Sequence, residues 1–160
     1  MAKRRRLVRE VMAREVITVN RYEQFRNILI KCSTCHTFPV ILVVDDEGRL
    51  IGKVSISNII DVFRIHEPEI LKTIPFLRDD EINIFDFDLP PELGYLLLVE
   101  DIMEADCLSV TDDTTIEEAY RIMKLNRLDQ LPVVDKEGRL VGMIGVFDIV
   151  QAVFKDLGII

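Results

Sequence analysis

Residues 8–19, VREVMAREVITV, lie over residues 99–110, VEDIMEADCLSV, and residues 43–63, VVDDEGRLIGKVSISNIIDVF, lie over residues 133–153, VVDKEGRLVGMIGVFDIVQAV. A chain that says the same thing twice, with a unit of about 55 residues, is too short an array for a solenoid, which needs three or more units to bury a continuous core. Two copies packed on each other is the economical alternative.

Both copies read alike. A short apolar strand, VITV or CLSV, leads to a helix start at Asn20 with Glu23, or at Thr114 with Glu117, each with the spacing of a capping box. Apolar residues then recur at helical spacing, as Phe25, Ile28, Leu29 and Cys32 and as Ile116, Ala119, Tyr120 and Met123, which predicts one buried stripe per helix. A second apolar strand, PVILVVD or LPVVD, runs into a turn whose Gly48 or Gly138 suits the left-handed position of a short hairpin. The return strand, RLIGKVS or RLVGMIG, feeds a second helix carrying Ile59, Ile60, Val62 and Phe63, or Ile149, Val150, Val153 and Phe154. The expected order is strand, helix, strand, strand, helix, twice.

Residues 64–98 separate the copies and hold four of the six prolines. They read as a connector with a helical piece after Glu67 and an irregular acidic middle. The apolar Ile74, Phe76, Leu77, Ile82, Ile84, Phe85 and Phe87 predict that it packs against something.

Charge narrows the function classes. Twenty Lys and Arg against 28 Asp and Glu give a net charge of −8, which repels a nucleic acid overall. The cluster at Lys3–Arg6 reads as a solvated tail. The apolar runs PVILVV and YLLLV fall short of the ~20 residues needed to span a bilayer. With an odd number of cysteines and no export leader, the expectation is a cytoplasmic protein without membrane segments.

One stretch, CSTCH at residues 32–36, has the spacing of a haem-attachment motif and could supply three metal ligands. The repeat supplies a plainer reason for it: Cys32 stands where Met123 stands in the second copy, the last member of a buried stripe. Cys35 and His36 follow at the helix C-terminus, where an imidazole suits the dipole. The residues are read as structural, with a metal- or redox-responsive role through Cys32, Cys35 and His36 as the competing reading. Enzyme signatures such as G-x-S-x-G, H-E-x-x-H or a phosphate loop do not occur, so no catalytic residues are assigned.

The segments LPVVDKEGRLVGMIGVFDIV (131–150), FPVILVVDDEGRLIGKVSISNII (38–60), TVNRYEQF (18–25) and SVTDDTTIEEAYRIM (109–123) closely resemble cystathionine beta-synthase (CBS) domains. The tandem resembles a Bateman module, with repeat 1 at 8–63 and repeat 2 at 99–154. The resemblance implies an α+β fold of two β-α-β-β-α CBS repeats packed about a pseudo-twofold axis, often paired again as a homodimer. It also implies a regulatory rather than catalytic role, with clefts between the repeats that bind an adenosine-containing ligand such as AMP, ADP, ATP or S-adenosylmethionine. An unidentified effector protein would read the bound state.

The family motif where the return strand meets the second helix is glycine, two apolar residues, Ser or Thr, two residues, then Asp. A helix N-terminus there offers unpaired amides to phosphate, and the carboxylate can accept from ribose hydroxyls. The first copy keeps Ser55 but has Asn58 for Asp; the second keeps Asp148 but has Gly145 for the hydroxyl. Capping of the helix is the other role open to Asp148, Asn58 and Ser55. By the same resemblance the pocket walls would be Ile17, Thr18, Thr37, Phe38, Pro39 and Val40 in the first copy, and Leu108, Ser109, Gln130, Leu131 and Pro132 in the second. Arg127 is the favoured phosphate cation over Lys53, His36 and Lys124. A dimerisation module whose clefts bind nothing is the alternative function.

Overall fold

The computed structural model describes residues 4–64, 84–86 and 89–160. In chain order the elements are β1 (Thr18–Asn20), α1 (Phe25–Lys31), β2 (Ile41–Val44), β3 (Leu50–Val54), α2 (Ile56–Arg64), α3 (Leu93–Leu96), α4 (Val99–Ile102), β4 (Glu104–Ala105), β5 (Val110–Thr111), α5 (Ile116–Leu125), β6 (Gln130–Val134), β7 (Leu140–Gly145) and α6 (Val146–Asp156). Single 3-10 turns lie at Val8–Glu10 and Ile84–Asp86. Strand, helix, strand, strand, helix is met in both copies, as an α+β fold with two sheets.

The chain divides into two compact units that cut across the sequence copies. One holds Met1–Ile17, Val44–Ile51 and Asp106–Ile160; the other holds Thr18–Val43 and Gly52–Ala105. Each copy's leading segment therefore belongs to the unit built mainly from the other copy.

In the first unit the sheet order is β5-β6-β7, with β5 parallel to β6 and β6 antiparallel to β7. Its core joins Val8 from the leading segment to Val110, Ile116, Ala119, Met123, Leu131, Val133, Ile144 and Ile149. The leading segment is tied down by reciprocal bonds: Ala13 N–H donates to Met143 O at 2.8 Å and Met143 N–H donates to Ala13 O at 2.9 Å. Gly142 permits this approach, since a Cβ there would stand 2.5 Å from Ala13 O and 2.9 Å from Met12 Sδ. The two hairpin tips also meet inside this unit, Leu50 N–H donating to Gly138 O and Leu140 N–H to Gly48 O.

The other sheet runs β1-β2-β3-β4, and β4 lies antiparallel to β3 with Gly52 opposite Ala105. A Cβ on Gly52 would stand 2.8 Å from Glu104 O and 3.1 Å from Met103 Sδ, the same close approach as at Gly142. Both leading segments start alike, with an acid reaching back to a free amide: Leu7 N–H donates to Glu10 Oε2 and Leu98 N–H to Asp101 Oδ2, each at 2.8 Å.

Both hairpin glycines take the expected left-handed conformation, with φ of 80° at Gly48 and Gly138. Asp45 and Asp135 make matching turns, their Oδ1 atoms accepting from the amides two and four residues on at 2.9 Å.

Several local expectations shift. The cap of α5 is Thr115, whose hydroxyl accepts from Glu118 N–H, rather than Thr114 with Glu117. Asn20 and Glu23 bond reciprocally, but they build a turn before α1, which starts at Phe25 with no side-chain cap. Phe25, Ile28, Cys32, Ile116, Ala119 and Met123 are buried as the stripe predicts, while Leu29 and Tyr120, at matching positions, are exposed. Ile60, Val150, Val153 and Phe154 are likewise on the exposed side of their helices. The expected strands CLSV and VITV shrink to Val110–Thr111 and Thr18–Asn20, and PVILVVD to Ile41–Val44.

The helical piece after Glu67, His66, Lys3 and the apolar Ile74, Phe76, Leu77, Ile82 and Phe87 lie outside the described residues. Ile84 and Phe85 are exposed in the 3-10 turn. Among the described residues no helix is long and apolar enough to cross a membrane.

Candidate functional site

The turn from β7 into α6 is fixed by backbone pairing. Gln130 pairs with Gly145 at the end of the β6–β7 ladder, and Val146 N–H donates to Asp129 O at 2.9 Å. Gly145 is the N-cap of α6, in extended conformation, and with no side chain it leaves the first-turn amides without a side-chain cap. Asp148 reaches back instead: its Oδ2 accepts from Gly145 N–H at 2.7 Å. Asp148 is thus the third residue of the helix rather than its N-cap, half-buried, with a carboxylate beside uncapped amides at the positive end of an 11-residue helix.

The walls proposed for this copy sort by burial. Leu131 and Pro132 are buried, Ser109 is half-buried, and Leu108 and Gln130 are exposed. Leu128 N–H donates to Met123 O at 2.8 Å, closing the end of α5 after Asn126, and Arg127 takes the left-handed conformation with φ of 53°. Glycine usually fills that position, so a long cation held there carries strain of about 1 kcal/mol. Arg127 is exposed and has no ion pair among the described residues, whereas Lys124 stacks on Tyr120 at 5.9 Å and Lys53 pairs with Glu104 at 3.8 Å.

The equivalent start of α2 is chemically different. Ser55 N–H and Ser55 Oγ both donate to Asn58 Oδ1 at 2.8 Å, and Ser55 Oγ also meets Ser57 Oγ at 2.8 Å. Asn58, like Asp148, is the third helical residue reaching back, not the cap. The Ser55 hydroxyl is thus engaged by Asn58 Oδ1, and the pair carries no charge. Thr37, Phe38, Pro39 and Val40 form an unpaired run before β2, with Thr37 exposed and the others half-buried. Ile17 precedes β1, and Thr18 O accepts from Lys31 Nζ at 3.2 Å.

Sequence reasoning did not find the apolar groove of about 430 Å³ along α5 and α6, lined by Ile116, Glu117, Tyr120, Val146, Ile149, Val150, Val153 and Phe154. The signal was present in the excess of apolar positions on both helices over what one core can bury. The groove includes neither Gly145 nor Asp148.

At the end of α1, Cys32 is buried as the C-cap residue, and Cys35 and His36 are exposed. Lys31, not His36, occupies the last helical turn. Among the described residues no three or more His, Cys, Asp and Glu side chains come together as a metal site.

The comparisons with known proteins bear on the fold and the family. The chain is 24% identical over 94% of its length to a CBS domain-containing protein of Dictyostelium discoideum, spanning 93% of that protein. It is 27% identical over 69% of its length to an uncharacterized protein of Methanocaldococcus jannaschii, spanning 70% of it. Among solved structures, CBSX2 in complex with AMP superimposes with a TM-score of 0.67 at 22% identity, over 94% of this chain and 97% of that one. The cytosolic domain of the Mg2+ channel MgtE in complex with ATP gives 0.60 at 27% identity over 89% of this chain, which spans only 46% of that chain. The CBS domain pair of MJ0100, in complex with 5-methylthioadenosine and S-adenosyl-L-methionine, gives 0.62 at 18% identity, over 96% of this chain and 99% of that one. The CBS domain model matches at residues 8–65 and again at 99–155, and with the two β-α-β-β-α copies seen in the fold this chain belongs to the CBS domain family.

Proposed function

We propose that this chain is a regulatory module that binds an adenosine-containing nucleotide at the start of α6 and passes the bound state to another protein. The observation that carries the reading is the Gly145–Asp148 turn: a half-buried carboxylate lies beside helix-start amides that no side chain caps. Ribose hydroxyls would donate to Asp148, phosphate would meet the amides of the first turn with Arg127 as its cation, and adenine would lie against the exposed Leu108 beside Ser109. Support comes from the similar proteins whose structures hold AMP, ATP or S-adenosyl-L-methionine. The first copy, where the neutral Asn58 Oδ1 already takes the Ser55 hydroxyl, is the weaker site. The homodimer implied by the resemblance would cover the groove lined by Tyr120, Val150, Val153 and Phe154. Solution of the protein in the cytoplasm is part of the same reading.

The test is a thermal-shift titration with AMP, ADP, ATP and S-adenosylmethionine. A ligand held at 100 times its Kd adds about 2.7 kcal/mol to the native state and raises Tm accordingly. Asp148→Asn keeps an acceptor for Gly145 N–H, as Asn58 does for Ser55, and is expected to lose most of the shift while keeping its own Tm. Gly145→Ser restores the family hydroxyl where a Cβ meets nothing closer than 3.4 Å, and is expected to strengthen binding. No shift with any of the four would refute the nucleotide reading and leave a ligand-free dimerisation module, which light scattering would then report.

A further inference from the structure

We propose that Cys32 and Cys35 form a reversible dithiol–disulfide site, oxidised by low-molecular-weight disulfides and reduced by thiols. The two are brought together by the backbone. Cys32 ends α1, and Cys35 N–H donates back to Cys32 O at 3.0 Å, closing a turn of four residues. Such a turn holds its end Cα atoms within about 7 Å, the limit for bridging without backbone movement. The turn is further fixed by Ser33, whose amide and hydroxyl both donate to Ile30 O, at 3.2 Å and 2.9 Å.

The side chains have unequal roles. Cys35 is exposed and free to attack a soluble disulfide, while Cys32 is buried. Burial pushes the Cys32 thiol up, and the nearby Cys35 thiol adds to that direction. The third thiol, Cys107, belongs to the other compact unit.

The chemistry balances as two exchanges. The Cys35 thiolate attacks one sulfur of the small disulfide, forming a mixed disulfide and releasing one thiolate. The Cys32 thiolate then attacks Cys35 Sγ, forming the Cys32–Cys35 bond and releasing the second. The protein loses two electrons and two protons; the small disulfide gains them as two thiols. Cys32 acts second because a buried thiol is a poor first nucleophile but faces the mixed disulfide once it forms.

The full chain, reduced, is equilibrated in buffers of graded reduced and oxidised glutathione, quenched with an alkylating agent and read by intact mass and by tryptic mapping. Cys32 and Cys35 fall in one tryptic peptide and Cys107 in another. The expected result is loss of two of the three alkylatable thiols in a single step, with an internal bridge in the peptide that starts at Cys32, reversed by added thiol. In Cys32→Ser the exposed Cys35 is expected to stop at a persistent glutathione adduct. In Cys35→Ser, a change at an exposed position, Cys32 is expected to stay reduced. A wild-type protein that accumulates the glutathione adduct at Cys35 without closing the bridge, that bridges to Cys107 instead, or that keeps all three thiols under oxidising buffer would overturn the proposal.

Discussion

Gly142→Ala places a methyl group 2.5 Å from Ala13 O and 2.9 Å from Met12 Sδ, inside any contact a real Cβ makes. Gly142 lies within β7, so it cannot retreat without dragging the β6–β7 ladder, and the leading segment must move instead. A shift large enough to relieve the clash breaks both bonds between Ala13 and Met143, about 1 kcal/mol each. Loosening of Met12 and of the buried Val8 adds a comparable amount, for a total of about 2–4 kcal/mol. In a chain of this size that is a Tm lower by roughly 5–15 °C. Thermal unfolding measures the total, and hydrogen exchange at Ala13 and Met143 measures the cause, since both amides are bonded across this contact. Gly52→Ala, with the milder 2.8 Å approach to Glu104 O, is expected to cost less. A Gly142→Ala protein within about 0.5 kcal/mol of the parent, or one destabilised with Ala13 and Met143 still protected, would refute the claim that this glycine is kept for the docked segment.

Two further outcomes follow from local conformation and charge. Arg127→Gly relieves the left-handed strain at the end of α5 and is expected to raise stability by about 0.5–1 kcal/mol in thermal unfolding while weakening any nucleotide-induced shift; an unchanged nucleotide shift would remove Arg127 from the proposed site. Glu118 is held below the ordinary carboxylate range by its hydrogen bond to Arg121, then by the charge of that guanidinium, and Glu10 by the Leu7 amide. A depressed folded-state pKa stabilises above the unfolded value and loses that contribution as pH falls through the folded one, so the loss is expected below about pH 4. Glu118→Gln is expected to flatten part of that acid limb in a pH series of melting curves, and an unchanged limb would contradict the assignment.

What could be read from the chain and what could not divides along sequence distance. The hairpins were legible because Gly48 and Gly138 answer a demand made by residues within a few positions of them. The buried stripes were legible at Phe25, Ile28 and Cys32, but Leu29 and Tyr120 were misassigned because these short helices bury a narrower arc than a full amphipathic face. The docking of 8–17 against β7 left no local trace in VREVMARE, since that pairing reaches across more than a hundred residues; the glycines of RLIG and RLVG show it only once the close approach is seen. At the starts of α6 and α2 the sequence placed Asp148 and Asn58 near the helix beginning but not their exact position in it. Asp148 and Asn58 reach back to a preceding amide rather than standing at the cap, a distinction that depends on where the helix starts and not on which residues are present.

The exchange of leading segments also bears on how such a chain can be cut. A gene fragment that encodes one repeat ends up with a sheet edge bare at Gly142 or Gly52 and a detached strip that has nothing of its own to lie on. The piece that evolution duplicated is therefore not the piece that can be lifted out and refolded, and a severed half is expected to capture the missing strip from a neighbouring molecule.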